Sequence, residues 1–103
     1  MKAVVVGAVE STRVTLRALA ENSRWSVCGV VTLPSTLARR HSDFVDLSPD
    51  AHACGARLIE APNSNAPEVI EAVRALKADV AFVIGWSQIC KPEFRDACGG
   101  AVV

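Results

Sequence analysis

Short runs dominated by valine and isoleucine recur along the chain, each ended by glycine, proline or a polar turn. Lys2-Ala3-Val4-Val5-Val6 stops at Gly7, and Trp25 to Val31 stops at Thr32-Leu33-Pro34. Arg57-Leu58-Ile59-Glu60 is a third run, and Val80-Ala81-Phe82-Val83-Ile84 stops at Gly85. The first and fourth are apolar at successive positions instead of alternating. Such a strand is covered on both faces, which is the condition of a parallel sheet between two helical layers.

The segments between the runs supply those layers. Glu10-Ser11-Thr12 offers capping oxygens, and Val14, Leu16, Ala18, Leu19 and Ala20 partly follow helical spacing, so a helix is expected from about Ser11 to Asn22. Ser48-Pro49-Asp50 reads as a capping serine with proline at the first helical position, and Gly55 as the stop. Asn63-Ser64-Asn65-Ala66-Pro67-Glu68 repeats the start signal ahead of a stripe of Val69, Ile70, Val73 and Leu76. Pro92-Glu93 opens a last short helix, closed by Gly99-Gly100, and Ala101-Val102-Val103 begins a fifth apolar run. The expected class is α/β: a Rossmann-like open parallel sheet with helices on both faces and right-handed crossovers.

Composition narrows the function. The chain has 103 residues, 50% hydrophobic, with 11 basic and 11 acidic side chains and a net charge of zero. That is one domain at most, with no basic field for general nucleic-acid or anionic-membrane binding. No run reaches the ~18 apolar residues of a membrane span, and no secretory signal opens the chain. Cys28, Cys54, Cys90 and Cys98 form no C-x-x-C pair. A cytoplasmic protein with reduced thiols is therefore expected. His52 and Cys54, two apart on one short helix, diverge, so no metal site is expected.

In an open parallel sheet, ligands bind beyond the carboxyl ends of the strands, where the strand order reverses. The first and fourth strands are the expected neighbours there. Gly7-Ala8-Val9-Glu10-Ser11-Thr12 lacks both G-x-G-x-x-G and G-x-x-x-x-G-K-[ST]. Either Gly7 makes a turn and Ser11 caps a helix, or the Ser11 and Thr12 hydroxyls meet a ligand. After the fourth strand come Gly85, Trp86, Ser87, Gln88, Ile89 and Cys90. An indole there can wall a flat ligand, and Gln88 can offer a donor and an acceptor to a heterocycle. The alternative has Trp86 packed on the next helix and Gln88 solvated. The segment from Thr32 to Asp46 has no clean period, and a loop of that length in a compact domain is usually functional or mobile.

Taken together, Val4-Val5-Val6-Gly7, Val30-Val31-Thr32-Leu33-Pro34, Ser48-Pro49, Ala78-Asp79-Val80, Phe82-Val83-Ile84-Gly85-Trp86-Ser87-Gln88-Ile89 and Gly99-Gly100-Ala101-Val102-Val103 resemble, in order and spacing, the N-terminal half of the folate-dependent formyltransferase domain. That family includes methionyl-tRNA formyltransferase, sugar N-formyltransferases and glycinamide ribonucleotide transformylase. The spacing is most similar to the methionyl-tRNA and sugar branches. The resemblance implies 10-formyltetrahydrofolate as co-substrate, with Trp86, Ser87, Gln88, Ile89 and Cys90 lining the pterin pocket. It places the acceptor amine against Gly7, Glu10, Ser11 and Thr12, with Arg39 and Arg40 on the loop that reaches toward it. Two arginines with aspartates nearby favour a small amine, such as an amino sugar, over tRNA phosphates, though tRNA stays open. No catalytic residue is assigned: the family's asparagine, histidine and aspartate would fall beyond Val103. Residues 1–103 are thus expected to be an incomplete folate-binding subdomain, inactive alone. Two other readings stay open: a non-catalytic α/β module for a nucleotide or partner, and a fragment pairing through its fifth-strand edge.

Overall fold

The computed structural model describes residues 1–34, 43–86 and 90–103. The elements run β1 (Lys2–Val6), α1 (Glu10–Glu21), β2 (Ser26–Thr32), α2 (Ser48–Ala53), β3 (Arg57–Glu60), α3 (Pro67–Leu76), β4 (Val80–Val83) and α4 (Pro92–Ala97). The strands form one parallel sheet in the order β3-β2-β1-β4. Val102 adds a parallel bridge to Ala81, outside β4. The expected fold class and the β1–β4 adjacency are therefore present.

β1 lies at the centre because every residue from Ala3 to Val6 is fully buried. Val4 and Val6 join Val31, Ile59, Val69, Val73, Ala81 and Phe94 in the layer beneath α3 and α4. Val5 points the other way, with Val30, Leu16, Leu19, Leu47 and Ala51, beneath α1 and α2. Burial of a valine or leucine side chain contributes about 1.5–3 kcal/mol, so these two layers hold the sheet.

β2 carries a bulge. Ala3 pairs with Val27 but Val4 pairs with Gly29, leaving Cys28 as the extra residue. Gly29 leaves room there for the Leu76 side chain of α3, whose Cδ1 would lie 2.5 Å from an added Cβ and would have to shift.

Helix boundaries agree with expectation to within a residue or two, but the caps do not. Ser11 lies inside the first turn of α1, and the N-cap is Val9. Ser48 lies inside α2; its N–H and hydroxyl both donate to Asp46 Oδ1, at 2.9 and 2.6 Å. These bonds hold the Asp46 carboxyl below its usual range. Val14, expected on the apolar stripe of α1, is 60% exposed. The inward face is Thr12, Leu16 and Leu19, whose spacing gives one stripe once the polar Thr12 is counted. α4 ends as expected on two left-handed glycines. Gly100 N–H donates to Arg95 O and Gly99 N–H to Asp96 O, the Schellman pattern.

Candidate functional site at the carboxyl edge of the sheet

The reversal of strand order falls between β1 and β4, and the two exit loops meet there. Thr12 reaches up from the first turn of α1 and is fully buried. Its hydroxyl donates to Ile84 O at 2.5 Å and accepts the Val9 N–H at 3.2 Å. One side chain thus satisfies two backbone groups and joins the loop after β1 to the exit of β4.

The flanking glycines serve the same junction. A Cβ on Gly7 would lie 1.9 Å from Ile84 O and 2.3 Å from Thr12 Oγ1. A Cβ on Gly85, whose φ is +68°, would lie 2.1 Å from Val9 Cγ2. Both glycines allow the two loops to approach each other. Of the residues that the resemblance sets against the acceptor, Gly7 and Thr12 are buried, and the Thr12 hydroxyl bonds within the protein.

Glu10 and Ser11 are exposed at the start of α1. Glu10 pairs with Arg13 at 3.1 Å, and Arg13 and Arg17 both meet Asp50 of α2, at 3.2 and 2.8 Å. The end of the long loop returns to this side: Val45 N–H donates to Ala8 O at 2.8 Å, and Leu47 is fully buried. Arg39 and Arg40, expected near the acceptor, lie outside the described residues. So do Ser87, Gln88 and Ile89 of the expected pterin wall.

Trp86 and Cys90 are described, and both pack on the α3/α4 layer while staying partly exposed. Trp86 Nε1–H donates to Ser64 Oγ at 3.2 Å. The Ser64 side chain also bonds the Cys90 thiol. Burial pushes that thiol up, against the opposing effects of Ser64 and the Arg95 charge. Lys91 N–H donates to Asn65 Oδ1 at 2.8 Å. The loop between β3 and α3 therefore grips the chain on both sides of residues 87–89.

Asn63-Ser64-Asn65 looked like a helix start, yet α3 has Ala66 as its N-cap and no side-chain cap. Asn63 Oδ1 instead accepts the Asn65 N–H at 2.9 Å, and Ser64 is fully buried. A groove of about 480 Å³ opens beside this loop, lined in part by Asn63, Asn65, Arg74 and Lys91. No sequence pattern could have paired Ser64 with Trp86, which lies 22 residues away.

Cys98 is fully buried, and burial, reinforced by Cys90 and Cys28, pushes its thiol up to about 12. Burial also raises Cys28. Among the described residues no three His, Cys, Asp or Glu side chains converge as a metal site. No described helix is long and apolar enough to cross a membrane.

A parallel sheet ordered 3-2-1-4, with helices on both faces, defines a Rossmann-like layout. Solved structures place it more closely. Phosphoribosylglycinamide formyltransferase from Bacillus halodurans matches with a TM-score of 0.69 at 11% identity, over 99% of this chain and 54% of that one. Glycinamide ribonucleotide transformylase 1 from Symbiobacterium toebii gives 0.65 at 13% identity, over 99% and 49%. The Streptococcus pneumoniae TIGR4 phosphoribosylglycinamide formyltransferase gives 0.62 at 14%, over 98% and 53%. The chain spans about half the length of these structures and has the fold of the formyltransferase N-terminal part. No family model and no curated protein matches its sequence.

Proposed function

We propose that this chain is the folate-side part of a cytoplasmic formyltransferase that moves a formyl group from 10-formyltetrahydrofolate to a primary amine. The observation that carries the reading is the fold likeness, over 99% of the chain, to a phosphoribosylglycinamide formyltransferase and a glycinamide ribonucleotide transformylase. In the bound state, 10-formyltetrahydrofolate supplies the formyl carbon. This chain supplies positioning. The part-exposed Trp86 ring offers a wall to a flat heterocycle, with its N–H already held by Ser64. The Thr12 bridge keeps that loop in register with the start of α1, where Glu10 and Ser11 are the exposed polar groups. A small amine is favoured as acceptor. The base and oxyanion donors that such a transfer needs belong, in this reading, to residues beyond this chain.

The test uses the protein as its gene encodes it, with 10-formyltetrahydrofolate and three acceptors: an amino sugar nucleotide, glycinamide ribonucleotide and methionyl-tRNA. Amine-dependent release of tetrahydrofolate supports the reading, and its absence with all three refutes it. Residues 1–103 alone should transfer nothing.

A further inference from the structure

Ser64 is the one fully buried polar side chain, among the described residues, that joins the loop before α3 to the chain after β4. A serine hydroxyl has one donor and two acceptor sites. Here it receives the Trp86 indole N–H at 3.2 Å and bonds the Cys90 thiol. Its neighbour Asn65 accepts the Lys91 N–H at 2.8 Å. Asn63 Oδ1 folds the tripeptide into a tight turn by accepting the Asn65 N–H. None of these side chains caps α3. Two of the three polar residues that look like a helix start, Ser64 and Asn65, thus bond the chain on either side of residues 87–89, and Asn63 folds their turn.

A buried hydrogen bond to an indole N–H restricts the ring as well as stabilising it. Trp86 is only partly buried, so packing covers one part of the ring and leaves the rest to solvent. With its N–H unpaired, the ring would either turn that group toward water or leave it buried at a cost of about 1–3 kcal/mol. Burial of Ser64 also excludes water from substituting for the hydroxyl.

We propose that Ser64 is a positioning residue: it fixes the Trp86 indole, and with it the orientation of the surface offered to the pterin. This rests on the folate reading given above, and the test separates the two. Binding of 5-formyltetrahydrofolate to the protein as its gene encodes it is measured by calorimetry for wild type, Ser64→Ala, Trp86→Phe and the double variant. Ser64→Ala should weaken binding about tenfold in the wild-type background. In the Trp86→Phe background it should weaken binding less than about twofold, because the ring it orients has lost its N–H. An equal loss in both backgrounds, or none in either, overturns the proposal.

If the wild type binds no folate, the folate reading fails, and the orienting role is judged on the indole alone. Within residues 1–103, a Trp25→Phe background leaves Trp86 as the one tryptophan, and any tryptophan encoded beyond them is replaced as well. Ser64→Ala should then lower the Trp86 fluorescence anisotropy and shift its emission, and an unchanged signal overturns the proposal. Should Ser64→Ala not fold, Ser64→Cys keeps the volume with a much weaker acceptor and is read by the same criteria.

Discussion

Gly7→Ala tests whether the two exit loops close on each other. Gly7 has no left-handed φ, so its backbone conformation suits any residue, and the effect of alanine is steric alone. The new methyl would sit 1.9 Å from Ile84 O, 2.3 Å from Thr12 Oγ1 and 2.6 Å from Thr12 Cγ2. Restoring ordinary contact requires the Ile84 carbonyl to retreat by about 1 Å or more. That carbonyl is main chain at the end of β4, and the Ile84 N–H is bonded to Val6 O at 2.9 Å. The strain of overpacking is about 1–3 kcal/mol. Retreat also breaks the bond from Thr12, and a buried polar group left unpaired costs about 1–3 kcal/mol more. We expect a loss of about 3–5 kcal/mol, a large part of the ~5–15 kcal/mol that holds a typical domain.

The assay is urea unfolding of the protein as its gene encodes it, read by tryptophan fluorescence, with Gly55→Ala as control. Gly55 has φ +73° and open space around its would-be Cβ, so alanine there costs only backbone strain, about 1–2 kcal/mol. If Gly7→Ala is no more destabilising than Gly55→Ala, the junction is looser than described and the argument fails.

Two further outcomes follow from buried groups. Thr32 is 3% exposed and its hydroxyl has no hydrogen-bond partner among the described residues, so Thr32→Val, nearly the same shape, should be neutral or stabilise by up to about 1 kcal/mol; a clear loss in a urea melt would mean that the hydroxyl is bonded. Cys98 remains a thiol up to about 12, whereas an unfolded cysteine ionises near 9.0. The unfolded chain then holds fewer protons, so stability is intact below pH 9 and falls between about 9 and 12, by at most ~1.4 kcal/mol per pH unit. Cys98→Ala should flatten that alkaline decline, and an unchanged slope would remove Cys98 as its source.

Much of the fold was legible because its signals are local. Apolar residues at successive positions in Lys2–Val6 can be satisfied only between two layers, and the glycine and proline punctuation marks where each strand and helix stops. The parallel sheet, the β1–β4 pairing and the resemblance to a formyltransferase half all rest on that order of elements. Side-chain roles were less legible. Ser11, Ser48 and Asn63-Ser64-Asn65 have the composition of helix caps, but a hydroxyl or amide bonds whichever partner the fold brings nearest. For Ser48 that partner is Asp46, two residues away; for Ser64 it is Trp86, 22 away. Gly7 and Gly85 likewise advertise a close approach without naming what approaches. Sequence alone determined the layers, because burial on both faces is a property of consecutive residues. Tertiary structure alone decided that the two glycines and Thr12 close the junction, and that Ser64 holds the indole. Those contacts join segments far apart in the chain, and their distances exist only once the sheet has formed.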